Sequence, residues 1–101
     1  MDNDTIKEGI LYLLDHESVD SPDGMGFTFF EIMSFLTLNN LLDEGEIEFL
    51  KNLLSDMEQD RLIEERYFDD GRVDYSIENR GKEILETTNV AHFELPDFVE
   101  V

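Results

Sequence analysis

Carboxylates are the reactive side chains this chain has in quantity, with 26 Asp and Glu against seven Lys and Arg, two histidines and no cysteine in 101 residues. Two neighbouring carboxylates can divide general acid and base roles, and carboxylates joined by histidine can hold a metal. Acids are so frequent here that spacing would pair almost any two of them, so no catalytic pair is singled out. His16 and His92 stand at the end of the first helical stretch and near the C-terminus, without the clustered spacing of a zinc site, and read as surface residues. Asp20-Ser21-Pro22-Asp23-Gly24 and Asp69-Asp70-Gly71 offer oxygens to a calcium ion, but neither has the spaced ligands of an EF-hand, and turn chemistry accounts for both. There is no glycine-rich phosphate loop, nucleophile elbow or Ser-His-Asp arrangement. The absence of cysteine removes disulfides, thiolate zinc sites and cysteine nucleophiles together. The chain is therefore expected to be no enzyme and to need no cofactor or metal.

A net charge of −19 points to partners instead. It sets up long-range repulsion from nucleic acid and anionic membranes, so duplex DNA is disfavoured and a protein with a basic surface is the expected partner. A single alanine beside eight phenylalanines, seven isoleucines and six asparagines is unlike halophile usage, so the acidity is not assigned to a salt-loving host. The start of the chain reads as neither a secretory signal nor a membrane span, and with no cysteine a soluble, cytoplasmic protein is expected. At 101 residues, 41% of them apolar, the chain should form one domain around one core.

The elements that must position these charges follow from periodicity. Thr5 and Glu8 have capping-box spacing, and Ile6, Ile10, Leu13 and Leu14 recur at helical spacing, which predicts a helix over about residues 5–17. Ser21-Pro22-Asp23-Gly24 marks a loop. Thr28 and Glu31 then cap a second helix over about 28–39, with Phe27 placed to staple onto Ile32. Phe29, Phe30, Ile32, Met33, Phe35, Leu36 and Leu38 make that helix apolar almost all round, so it must be central or covered by a partner. Asp43 and Glu46 offer a cap for a third helix reaching about Asp60, with Ile47, Leu50, Leu54 and Met57 inward. Alternation at Ile63–Phe68 and Val73–Ile77 around Asp69-Asp70-Gly71-Arg72 predicts a hairpin turning at Asp70-Gly71. A short helix from about Asn79 to Glu86 follows.

Helix, helix, helix, hairpin, helix is the order of a winged helix-turn-helix. Leu53-Leu54-Ser55-Asp56-Met57-Glu58-Gln59-Asp60-Arg61-Leu62-Ile63-Glu64 resembles the family's leucine-pair exit from the third helix, with Asp60 or Arg61 where glycine is usual. Tyr75-Ser76-Ile77-Glu78-Asn79-Arg80-Gly81-Lys82-Glu83-Ile84-Leu85 resembles the approach to the last helix in PadR-like and MarR-like regulators, with Glu78 where a threonine cap is usual, so that Asn79 is the substitute cap. The resemblance covers about residues 5–86. It implies an α+β, mostly helical fold: one winged-helix domain over 1–87, with three helices, a two-stranded wing and a short final helix, followed by a tail over 88–101. It also implies that the third helix and the wing are where function should be read.

In a DNA reader the third helix carries Arg, Lys, Asn or Gln to base edges. Asp43–Glu58 instead holds six acids and the single base Lys51, leaving Glu44, Glu48, Lys51, Asn52 and Ser55 to face outward. Asp43, Glu44, Glu48, Asn52 and Asp56 are accordingly the candidate partner-binding residues. In the sharpest form of this expectation the acidic face imitates the phosphates of DNA and occupies the nucleic-acid channel of an enzyme, as phage-encoded inhibitors of defence or transcription machinery do. The alternative is a transcriptional regulator whose wing cations, Arg61, Arg66, Arg72, Arg80 and Lys82, meet the DNA backbone. Residues 61–82 also carry six acids, however, and cross-strand ion pairing is the simpler account of them. In the tail, Phe93, Leu95 and Phe98 are candidates to dock on the domain or on a partner. The long added helices through which dimeric family members pair are missing, so a monomer, or a weak tail-mediated dimer, is expected.

Overall fold

The computed structural model describes residues 3–90 and 92–100, so Met1, Asp2, Ala91 and Val101 lie outside the described residues. The first helix, α1 (Asn3–Leu14), turns Ile6, Ile10, Leu11, Leu13 and Leu14 into the core. It starts before the Thr5–Glu8 pair, which therefore lies inside the helix and does not cap it. It also stops short of the expected Glu17. Glu17 and Ser18 leave the helix to form β1 (Glu17–Ser18), which pairs antiparallel with β4 (Val99–Glu100) in the register Ser18 to Val99.

α2 (Phe29–Leu38) has the expected capping box, in which Thr28 N–H donates to Glu31 Oε1 at 2.8 Å and Glu31 N–H to Thr28 Oγ1 at 3.2 Å. It ends because Asn40 takes φ 57°, letting Leu41 N–H reach Leu36 O and Asn40 N–H reach Thr37 O, the two bonds of a Schellman stop. α3 (Ile47–Gln59) ends the same way, with Leu62 N–H on Met57 O, Arg61 N–H on Glu58 O and Arg61 at φ 61°. Arg61 thus takes the left-handed backbone at one of the two positions where glycine was expected from the resemblance.

The start of α3 differs from expectation. Asp43 caps nothing: Glu46 N–H turns back onto Asp43 O, and the helix begins only at Ile47, with Glu46 in the cap position and no side-chain cap bond. Leu50, Leu53, Leu54 and Met57 are its buried stripe, and Ile47, expected inside, is 47% exposed.

β2 (Ile63–Tyr67) and β3 (Val73–Ile77) form the hairpin, with Ile63 opposite Ile77 and Arg66 opposite Asp74. Phe68 N–H bonds Arg72 O and Gly71 N–H bonds Phe68 O, which encloses the three residues Asp69-Asp70-Gly71. Asp70 is not among the described residues with positive φ, and Gly71 is, at 91°. The connection is a three-residue loop closed by a left-handed glycine, in place of the expected two-residue turn. Phe27 adds to this sheet through reciprocal backbone bonds with Tyr75 at 2.9 and 2.8 Å. α4 (Asn79–Leu85) has Glu78 at its cap without a side-chain bond and Asn79 already helical, so neither residue acts as the cap. α4 packs tightly under the hairpin, since a Cβ on Gly81 would stand 2.5 Å from Leu62 O.

The described residues form an α+β fold of four helices and two small antiparallel sheets. Residues 88–90 and 92–100 are part of it. Phe93 and Val99 are buried in the same core as Ile10, Phe35 and Leu50, and Asn39 clamps the segment by donating to Glu94 O at 3.0 Å and accepting from Glu94 N–H at 2.7 Å.

Candidate functional site

Because the helix begins at Ile47, the candidate residues Asp43 and Glu44 belong to the turn leading into α3, while Glu48, Asn52 and Asp56 follow at four-residue spacing along the helix itself. All five are exposed, as are Glu46, Glu58 and Asp60. Lys51 is the one base among them and reaches Glu48 only at 3.9 Å across an open surface, which neutralises little. Asp43 and Glu46 line a polar hollow beside Leu42 and Phe49, and Asn52 and Asp56 edge a smaller one beside Asn3 and Leu53. The acids therefore form a run along the α3 segment and do not converge on a point.

The cations expected in a wing are divided. Arg66 is turned onto the domain: its Nε donates to Asp74 at 2.8 Å, its Nη1 to Asp23 at 2.8 Å and its Nη2 to Met25 O at 2.7 Å. Asp74 is fully buried, and Arg72 approaches it at 3.5 Å while also standing 3.9 Å from Glu31. Arg66 is held above its ordinary pKa by its bonds to Asp74 and Asp23, and Asp23 is held well below the usual carboxylate range by Arg66, Met25 N–H and Ser21. Two arginines and three carboxylates thus knit the loop before α2 to the hairpin, with both side chains mostly removed from solvent.

Arg61, Arg80 and Lys82 are exposed. Arg80 donates to Asp60 O at 2.9 Å, and Arg61 and Arg80 share a shallow depression with Glu64 and Glu78. They lie at the α3–β2 corner and on α4, away from Arg72 at the hairpin tip. On the outer hairpin face Tyr75 donates to Glu65 at 2.9 Å and Tyr67 donates to the same carboxylate. Burial and that bond push the Tyr75 phenol up, and the bond to Glu65 raises Tyr67.

Of the tail residues, Phe93 packs between the rings of Tyr12 and Phe35, Phe98 lies 6.0 Å from the ring of Phe27, and Leu95 is half-buried against the core. They are engaged within the chain. His16 bonds Tyr12 O through Nδ1, and His92 lies against the Phe93 ring. No cluster of three or more metal-ligating side chains occurs among the described residues, and no helix there is long and apolar enough to cross a membrane.

A groove that spacing did not locate runs between α2 and the start of α3. Phe29, Phe30, Met33 and Thr37 line one side, Ile47 and Glu44 the other, around a space of about 390 Å³. Phe30 is 77% exposed and shares the groove with the exposed Ile47, so the two form a contiguous apolar patch. The signal in the sequence was the all-round apolar character of α2. Compared with known protein families, curated proteins and solved structures, the chain matches none.

Proposed function

We infer that this protein works without catalysis, by binding a basic protein surface through the acids that precede and line α3. The observation that carries this is the contrast in how the two charge sets are held. Asp43, Glu44, Glu48 and Asp56 face solvent, whereas Arg66 and Arg72, the central cations of the hairpin, are spent on Asp23, Glu31 and Asp74. A helix and wing meant for phosphate would have the opposite arrangement. The element order, with Phe27 bridging to the hairpin, supports a winged-helix scaffold put to this use. In its sharpest form the acidic run stands in for the phosphates of DNA in an enzyme's nucleic-acid channel. A DNA-binding regulator is left with Arg61, Arg80 and Lys82, interleaved with Glu64 and Glu78, and is the weaker account. Like charge also opposes self-association and supports a monomer.

The test is charge reversal at matched net charge. Glu44→Lys with Glu48→Lys should slow association with a basic globular probe, cytochrome c, more than Glu83→Lys with Glu86→Lys, on α4 and just after it, does, and the difference should fade as salt rises. Equal slowing by both pairs would mean that total charge alone matters and would overturn the assignment to α3.

A further inference from the structure

We propose that the groove between α2 and the start of α3, with Glu44 of the acidic run in its lining, receives an amphipathic, basic helix of a partner protein. The proposal rests on the basic-partner function above and names where and how that partner binds. The floor is apolar, from Phe29 and Met33, and the exposed Phe30 and Ile47 rise on its two sides. On α2, Phe30, Ser34 and Leu38 follow at four-residue spacing, so a small side chain separates two exposed apolar ones and leaves a notch along the helix.

Three observations choose the occupant. Both walls that supply Phe30 and Ile47 are helical and offer no strand edge, so an entering segment cannot add to a sheet there, and an amphipathic helix that bonds its own backbone fits the groove. Glu44 lines the groove, the exposed Asp43, Glu46 and Glu48 adjoin it in the chain, and residues 39–50 hold no base, so cations on the flanks of that helix complement the charge. The described residues leave the groove open. Residues 92–100 are engaged on Tyr12, Phe35, Asn39 and β1, and a second copy would bring the same acids against these. The expected ligand therefore has two or three large apolar side chains at i, i+3 or i+4, and i+7, bordered by cations.

The probe is a 14-residue Leu/Lys peptide with leucines at helical spacing, compared by fluorescence anisotropy with an isomer of the same composition in strict alternation. The helical isomer should bind at least about tenfold more tightly, and Phe30→Ala or Ile47→Ala should each weaken it by about tenfold, the scale of an interface anchor. Phe30 and Ile47 are exposed, so the fold and Tm should be unchanged, which circular dichroism checks. Replacing every Lys of the peptide by Gln should weaken binding at low salt, as should Glu44→Gln. Equal binding of both isomers, unaffected by Phe30→Ala, would overturn the groove while leaving the acidic basic-partner function standing. Failure of both isomers to bind would overturn both. A dimer of this protein abolished by Phe30→Ala would give the groove to a second copy and would also overturn the proposal.

Discussion

Gly24 and Gly26 have nearly the same backbone, φ 75° and 82°, and very different surroundings. A Cβ on Gly24 would meet nothing within 4 Å, whereas one on Gly26 would stand 2.7 Å from Arg66 Nη2 and 2.8 Å from Asp74 Cγ and Oδ1. Alanine at either site takes on a left-handed backbone at about 1–2 kcal/mol and recovers about 0.4–1 kcal/mol from a less disordered unfolded chain. Gly24→Ala should therefore cost about 1 kcal/mol. Gly26→Ala has a further cost. Asp74 is fully buried and has nowhere to retreat, so the methyl must push Arg66 off it, and breaking a buried pair costs about 3–5 kcal/mol. The excess of Gly26→Ala over Gly24→Ala should be about 3 kcal/mol, read from urea midpoints at unchanged m-value. At about 4–8 °C per kcal/mol for a domain of this size, that separates the two variants by more than about 10 °C in Tm. Two variants equal within about 0.5 kcal/mol, the ordinary scatter of surface changes, would show that Arg66 is not locked onto Asp74 and would return it to the surface as a candidate phosphate contact.

The same network and the helix stops yield further expectations. Asp74→Asn should destabilise by about 3–5 kcal/mol and Asp23→Asn by no more than about 1 kcal/mol, because the second carboxylate is half exposed. Since Arg66 depresses the Asp23 pKa, its contribution is complete above the unfolded value near 4 and is lost as pH falls through the lower folded value, so in pH-dependent denaturation the wild type should lose its advantage over Asp23→Asn in acid. Arg61→Gly should raise stability by about 0.5–1 kcal/mol, because glycine removes the left-handed cost at the α3 stop. Melting temperature should rise between about 10 and about 200 mM salt as self-repulsion is screened, and a flat curve would show the carboxylates to be already well spaced.

Local chemistry was legible where a few neighbouring residues settle it. The Thr28–Glu31 box and the two strands of the hairpin depend on short-range bonds, and the observed elements agree there. The same box pattern misplaced the starts of α1 and α3. In a chain with 26 acids, Thr or Asp followed three residues later by Glu arises readily by chance, and Thr5–Glu8 and Asp43–Glu46 are such coincidences. The late start of α3 leaves Ile47 in its first turn, pointing out of the stripe that periodicity had placed it in. The pairing of Arg66 with Asp74 depends on the three-residue loop, since the expected two-residue turn at Asp70-Gly71 would have set Arg66 opposite Tyr75. Its pairing with Asp23, the clamp of Asn39 on Glu94 and the β1–β4 ladder join residues far apart in sequence, which no periodicity reports. For the candidate site, exposure of the acids could be read from the sequence, but the groove that Glu44 lines depends on how α2 and α3 are set against each other.

Residue-resolved chemical-shift mapping tests the central claim most directly, with the ¹⁵N-labelled protein titrated in parallel against an arginine-rich peptide and random-sequence duplex DNA at physiological salt. The peptide should shift Glu44, Glu48, Asn52 and Asp56, and the duplex should shift nothing, even at the roughly 10⁻⁴ to 10⁻⁶ M dissociation constants of non-specific DNA binding. Duplex-induced shifts at Arg61, Arg80 and Lys82, with α3 silent toward the peptide, would contradict it.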